Sequence, residues 1–121
     1  LLIPLFIDSS CVADNSPENL IFTRISGLSD DERAAFFNLS YVVPGFDTSE
    51  VQLSEKQVAL AIFQTNAIAA GGGVGIFPTV ARLNHGCSSA FNAIYSWRSS
   101  EGVLVVHALK YIQRGTVCDS L

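Results

Sequence analysis

The chain has 121 residues, 49% of them hydrophobic and 15% charged, a balance that supports a buried core within one domain and excludes wholesale disorder. Seven Lys and Arg against eleven Asp and Glu give a formal net charge of −4. With no basic cluster anywhere, that charge excludes a nucleic-acid footprint. Cys11, Cys87 and Cys118 are odd in number and irregular in spacing, so they describe no disulfide framework and predict a reducing, intracellular compartment. A start at Leu1 and the absence of methionine predict a fragment of a longer product.

In chain order, Leu1 to Ile7 reads as a strand, with Pro4 tolerated at an edge. It lacks the basic flank of a signal peptide and the length of a membrane span. Ser16 then caps a helix whose first position is Pro17. Leu20, Ile21 and Ile25 fall on one face of it, and Gly27 ends it. Ser29 and Glu32 form a capping box that opens a short helix carrying Ala35, Phe36 and Leu39. Pro44 and Gly45 mark a loop through Thr48. A third helix starts at about Glu50 or at Glu55, the latter with Ser54 and Gln57 as a second capping box. Its buried face is Val58, Ala61, Ile62 and Thr65. Ala69 to Gly73 breaks the helical pattern, and from Val74 the period becomes that of strands. Tyr95 to Arg98 and Val103 to Leu109 make a hairpin around Ser99 to Gly102. Helices first and strands last predict one α+β domain.

Three motifs invite chemistry. Gly71-Gly72-Gly73-Val74-Gly75 looks like a nucleotide loop, but Ile76-Phe77-Pro78 follows where a P-loop needs Lys and Ser or Thr. It also follows a helix and enters a strand, the reverse of a Rossmann turn, so it reads as a flexible connection. His85 and Cys87 stand two apart, but a zinc site needs three or four ligands. A Cys-His nucleophile pair is the remaining use of those two side chains, and Cys87 serves equally as a small buried residue. His107 lies in the apolar run Val103 to Leu109 and reads as a half-buried strand histidine.

Taken together, Val74-Gly75-Ile76-Phe77-Pro78, Ala81-Arg82-Leu83-Asn84-His85-Gly86-Cys87, Asn92-Ala93, Tyr95, Trp97, Gly102 to Leu109 and Ile112-Gln113-Arg114-Gly115 resemble, in order and spacing, the second half of a SET domain. That is the fold of S-adenosylmethionine-dependent protein-lysine methyltransferases. Ile62-Phe63-Gln64-Thr65-Asn66 resembles the preceding segment of the MYND-type and fungal SET proteins. The resemblance implies a partial SET domain over residues 1–121, with residues 16–70 as a helical insert and 74–121 as the C-terminal SET half. It implies S-adenosylmethionine as cofactor, with Asn84 and His85 as the first binding candidates, then Asn66 and Arg82. A protein or peptide lysine is the implied substrate. Its amine, with a pKa of about 10.4 in water, must first lose a proton, which an apolar channel favours by desolvation. Cys87 matches a family cysteine that joins three downstream cysteines around zinc, so here it is an orphan ligand.

The chain departs from the family pattern in four places. The early Gly-x-Gly turn is not in it, and Gly73-Val74-Gly75 lies too near Asn84-His85 to be that turn. Thr116-Val117-Cys118-Asp119-Ser120-Leu121 replaces the acidic pair after Gly115 and ends before the catalytic tyrosine. Ser88-Ser89-Ala90-Phe91 adds two residues before Asn92, which unsettles the role of Asn92. Tyr95 reads as a packing residue of the hairpin, and Tyr111 precedes the turn, so neither replaces the missing tyrosine. The family threads its C-terminal strand beneath a loop near the Asn-His segment, and an incomplete strand there leaves Val103 and Val105 poorly covered. A methyltransferase fragment with weak or no activity is therefore expected. A non-catalytic SET-like module that binds protein is the alternative.

Overall fold

A computed structural model describes the backbone of residues 3–5 and all of residues 16–43, 52–86 and 91–120. The fold is α+β. Strand β1 (Ile3–Leu5) is followed by helices α1 (Pro17–Ser26), α2 (Asp30–Phe37) and α3 (Glu55–Asn66), and then by β2 (Ile68–Ala70) and β3 (Gly73–Ile76). A 3-10 turn at Val80–Arg82 leads into β4 (Asn84–His85), β5 (Ala93–Arg98), β6 (Val103–Ala108) and β7 (Asp119–Ser120).

Local chemistry starts each helix. The Ser16 hydroxyl accepts from the Asn19 N–H, and Pro17 occupies the first turn, where its missing donor costs nothing. Both expected capping boxes form, Ser29 with Glu32 and Ser54 with Gln57, so α3 begins at Glu55. Each box satisfies two backbone donors that a helix start otherwise leaves without partners. Gly27 closes α1 with φ −86°, so its lack of a side chain is not what stops the helix.

The core sits among the helices. Ile21 and Ile25 of α1, Phe36 of α2, Leu39 just beyond it, Ala59 and Ile62 of α3 and Ile76 of β3 form one buried cluster. Phe36 is fully buried and meets Phe37 edge-on at 5.2 Å between centroids. Across the rim of this cluster, Arg33 pairs with Glu55 and lies over the rings of Phe22 and Phe37. Ala35 faces solvent instead, and Ala59 takes a buried place that the expected face of α3 omitted.

The strands form two sheets, the first of which reaches this core through Ile76. In the first the order is β1-β3-β2, all antiparallel. Pro4 lies on the edge strand β1 opposite Gly75, the placement its missing N–H allows. The glycine run is not a flexible connection after a helix. It follows β2, a strand at the end of the expected helical insert, and Gly71-Gly72 is the two-residue turn between paired Ala70 and Gly73. Gly71 has φ +65°, and glycine is the residue that adopts this angle at the first position of such a hairpin turn.

The second sheet has the order β4-β7-β5-β6. Strands β5 and β6 form the expected hairpin, with Ala93 opposite Ala108 and Arg98 opposite Val103. Strand β7 runs parallel to both β4 and β5 and lies between them. Burial on β5 alternates, with Tyr95 and Trp97 turned inward and Ile94, Ser96 and Arg98 outward. Strand β6 does not alternate. His107 is exposed rather than half-buried, because no second layer covers that strand among the described residues. Val103 is 42% exposed, as expected of a thinly covered hairpin, whereas Val105 is half-buried. No helix of the described residues is long and apolar enough to cross a membrane.

Candidate functional site

The Asn84-His85-Gly86 segment is held by the end of the chain. Asn84 stands opposite Asp119 and His85 opposite Ser120. The Gly86 N–H donates to the Ser120 carbonyl at 2.7 Å. A Cβ at Gly86 would come within 2.8 Å of the Phe91 Cα and 3.0 Å of the Asp119 Cβ. Only glycine lets the segment close on both neighbours.

Asn92 resolves the question raised by the two added residues. It is buried, and its side-chain amide donates to the Val117 carbonyl at 2.9 Å and accepts from the Asp119 N–H at 3.1 Å. Its own N–H donates to the Asp119 carbonyl at 3.0 Å, and its carbonyl accepts from the Leu109 N–H at 2.8 Å. Asn92 is thus the pin that holds β7 against β5. Each of its backbone and side-chain polar atoms is thus engaged in a hydrogen bond.

Beside this clamp lies a cleft of ≈ 200 Å³ lined by Thr65, Asn66, Ile68, Val80, Ala81, Leu83, His85, Tyr95 and Ser120. It brings together two of the four expected cofactor residues, Asn66 from the end of α3 and His85 from β4. Both residues of β4 are exposed, but successive strand residues point to opposite faces, and His85 lines the cleft while Asn84 does not. Arg82 is also exposed and also absent, although its neighbours Ala81 and Leu83 line the cleft. Cys87 lies outside the described residues, as does the Pro44 to Thr48 loop. Cys118 is half-buried and forms no disulfide among the described residues. Among the described residues no group of three potential metal ligands occurs.

The polar groups of the cleft are partly committed. Asn66 donates its side-chain N–H groups to the carbonyls of Ser40 at 2.7 Å and Ile62 at 2.9 Å, which leaves its Oδ1 as the acceptor it can offer. The Thr65 hydroxyl donates to the Ala61 carbonyl and accepts from the Val42 N–H, so both residues also tie the segment after α2 to α3. His85, Tyr95 and Ser120 supply hydroxyl and imidazole groups to a lining that also holds the apolar Ile68, Val80, Ala81 and Leu83. Such a mixture suits a flat ring with a polar edge.

Tyr95 is the residue that sequence reasoning set aside. Packing describes only part of it, since it also lines the cleft. Its position on the inward face of β5, two residues from Trp97, was the available signal. Ser120 carried none, because its place depends on β7 pairing with strands more than twenty residues away. Tyr111 is 90% exposed and does not line the cleft. No family model, curated protein or solved structure matches the chain.

Proposed function

We propose that this chain forms the adenine-side wall of an S-adenosylmethionine site in a SET-type protein-lysine methyltransferase domain. One observation carries this. Strand β7 lies in parallel between β4 and β5, so that the Asn84-His85-Gly86 segment is clamped by the chain end beside a cleft that joins Asn66 to His85. A threaded C-terminal strand at the Asn-His segment is what the resemblance implies.

The residues fit part of such a cofactor. The Asn66 Oδ1 can accept from an exocyclic amine, the His85 ring can donate or accept, and Ile68, Val80 and Leu83 can cover a purine face. The ≈ 200 Å³ of the cleft is below the roughly 300–1,000 Å³ of whole-ligand pockets, so it takes the nucleobase end rather than the whole molecule. When bound, the cofactor would supply the activated methyl group. The role of these residues is to orient its base and exclude water from one side. On this reading no residue of the chain is a catalytic one, and binding by the chain alone is weak.

The test is an NMR titration with millimolar S-adenosylmethionine, which detects weak binding. Shifts should concentrate at Asn66, Ile68, Leu83, His85 and Tyr95, and His85→Ala should reduce them. Shifts scattered over the helices, or none at all, would sink the reading. The non-catalytic alternative has one observation in its favour, the apolar exposure of Val103 and Val106 on the outer strand β6. A lysine peptide that shifts β6 while S-adenosylmethionine leaves the cleft unmoved would favour it.

A further inference from the structure

The cleft has walls from two different bodies. Thr65, Asn66 and Ile68 belong to α3 and β2, whereas His85, Tyr95 and Ser120 belong to the second sheet. Its width therefore depends on what holds the two sheets together. Their strands share few contacts among the described residues, but one side chain bridges them. Trp97 leans on Phe77, with ring centroids 6.0 Å apart and planes at 58°. Its indole also covers the β2–β3 turn so closely that a Cβ on Gly71 would come within 2.9 Å of Nε1. Phe77 is buried directly after β3, so both partners of Trp97 belong to the first sheet's end of the molecule.

We propose that Trp97 is a clasp that sets the width of the cleft by fixing β5 to the β2–β3 turn and to Phe77. Three features make it a positioning residue rather than general filling. It shares the inward face of β5 with Tyr95, two positions away, so a change in its seating is passed to Tyr95 through one short stretch of strand. The turn it covers is directly continuous with β2, which carries Ile68 on the opposite wall. It also stands outside the buried helical cluster, so its loss should loosen the junction before the helices. An edge-on or tilted aromatic pair is directional, which suits a contact that fixes an angle between two sheets.

The test combines native-state hydrogen exchange with ligand titration on Trp97→Ala and Trp97→Phe. Trp97→Ala should speed exchange about tenfold at Ile68–Ile76 and Ala93–Arg98 while α1 and α3 keep their protection, the signature of local opening. Trp97→Phe retains an aromatic face for Phe77 and should restore most of that protection. Phe77→Leu approaches the same contact from the other side and should give a weaker form of the alanine pattern. Equal acceleration in the helices would make Trp97 a general stabiliser and overturn the clasp, as would unchanged exchange in both segments. The ligand arm rests on the S-adenosylmethionine reading, with the same compound as probe. There Trp97→Ala should weaken the cleft shifts several-fold and Trp97→Phe should not. If the unmodified chain shows no such shifts, the functional reading fails while the exchange result still decides the clasp.

Discussion

The helical region and the β5–β6 hairpin are held together by different physics. Among the helices, Ile21, Ile25, Phe36 and Ile62 are buried on all sides, and the cluster reaches Ile76 of the first sheet. In the hairpin, the backbone ladder is complete from Ala93 to Arg98, yet Val103, Val106 and Ile94 remain partly in water. Burial of apolar area is the main favourable contribution in the first region. In the second, hydrogen bonds, the Asn92 pin and the Trp97 contact carry a larger share. The consequence is a gradient of stability with the cleft at its boundary.

The largest expected effect breaks the first region. Phe36→Ala removes a fully buried ring from the centre of the cluster and should cost about 3–5 kcal/mol. Chemical denaturation measures it, and a value near 1 kcal/mol would mean that the helices collapse around the gap and are less tightly packed than described. Next comes the second region. Asn92→Ala deletes both side-chain bonds to the β7 segment and leaves the Val117 carbonyl and the Asp119 N–H without those partners. A loss of about 2–3 kcal/mol follows from those groups. Hydrogen exchange should show it first at Asp119, Ser120 and Gly86. If the helices lose protection to the same degree, the two regions unfold as one and the gradient is absent.

The two regions also differed in how plainly their sequences announced them. Ser16-Pro17, Ser29 with Glu32, and Ser54 with Gln57 act within one helical turn, so short-range pattern sufficed to place three helices. The β5–β6 hairpin was equally local, with its turn at Ser99 to Gly102. Strand β2 was hidden because Ile68-Ala69-Ala70 is short and alanine-rich, and alanine favours helix over strand. His107 was misjudged because alternation assumes a covered face, and β6 has none among the described residues. At the cleft, Asn66 and His85 were legible through the resemblance. Ser120 joins it through pairing of β7 with a distant strand, which no local pattern records, and Thr65, Ile68 and Tyr95 join it through the packing of α3, β2 and β5 around it. That Asn84 would be left out of the lining required knowing which face of β4 meets the cleft.

A smaller effect sharpens the comparison from within the helical region. Ser54→Ala removes the hydroxyl that accepts from the Gln57 N–H at 3.3 Å and should cost about 1 kcal/mol. Since α3 ends at Asn66 on the cleft, fraying of its first turn tests whether the boundary notices the far end of the helix. Cleft shifts with S-adenosylmethionine should be unchanged in this variant, because about two turns of intact helix remain between the frayed first turn and Asn66. A change there would mean that α3 is seated as a lever rather than by its contacts with α1.

The smallest expected effect concerns the outer strand. Val106 is 41% exposed on β6 and stands opposite Tyr95 in the hairpin register. Val106→Thr keeps the β-branched shape that strands favour and exchanges a partly wet methyl for a hydroxyl, so stability should change by no more than about 0.5 kcal/mol. The same substitution inside the helical cluster would bury a hydroxyl at a cost of about 1–3 kcal/mol. A loss of that larger size at Val106 would show that β6 is covered in solution. Repeating the denaturation across a range of chain concentrations would then separate a second copy from a local rearrangement. A midpoint that rises with concentration in the valine form and not in the threonine form would place the cover in another molecule, and would turn the outer strand from the less stabilised region into an interface.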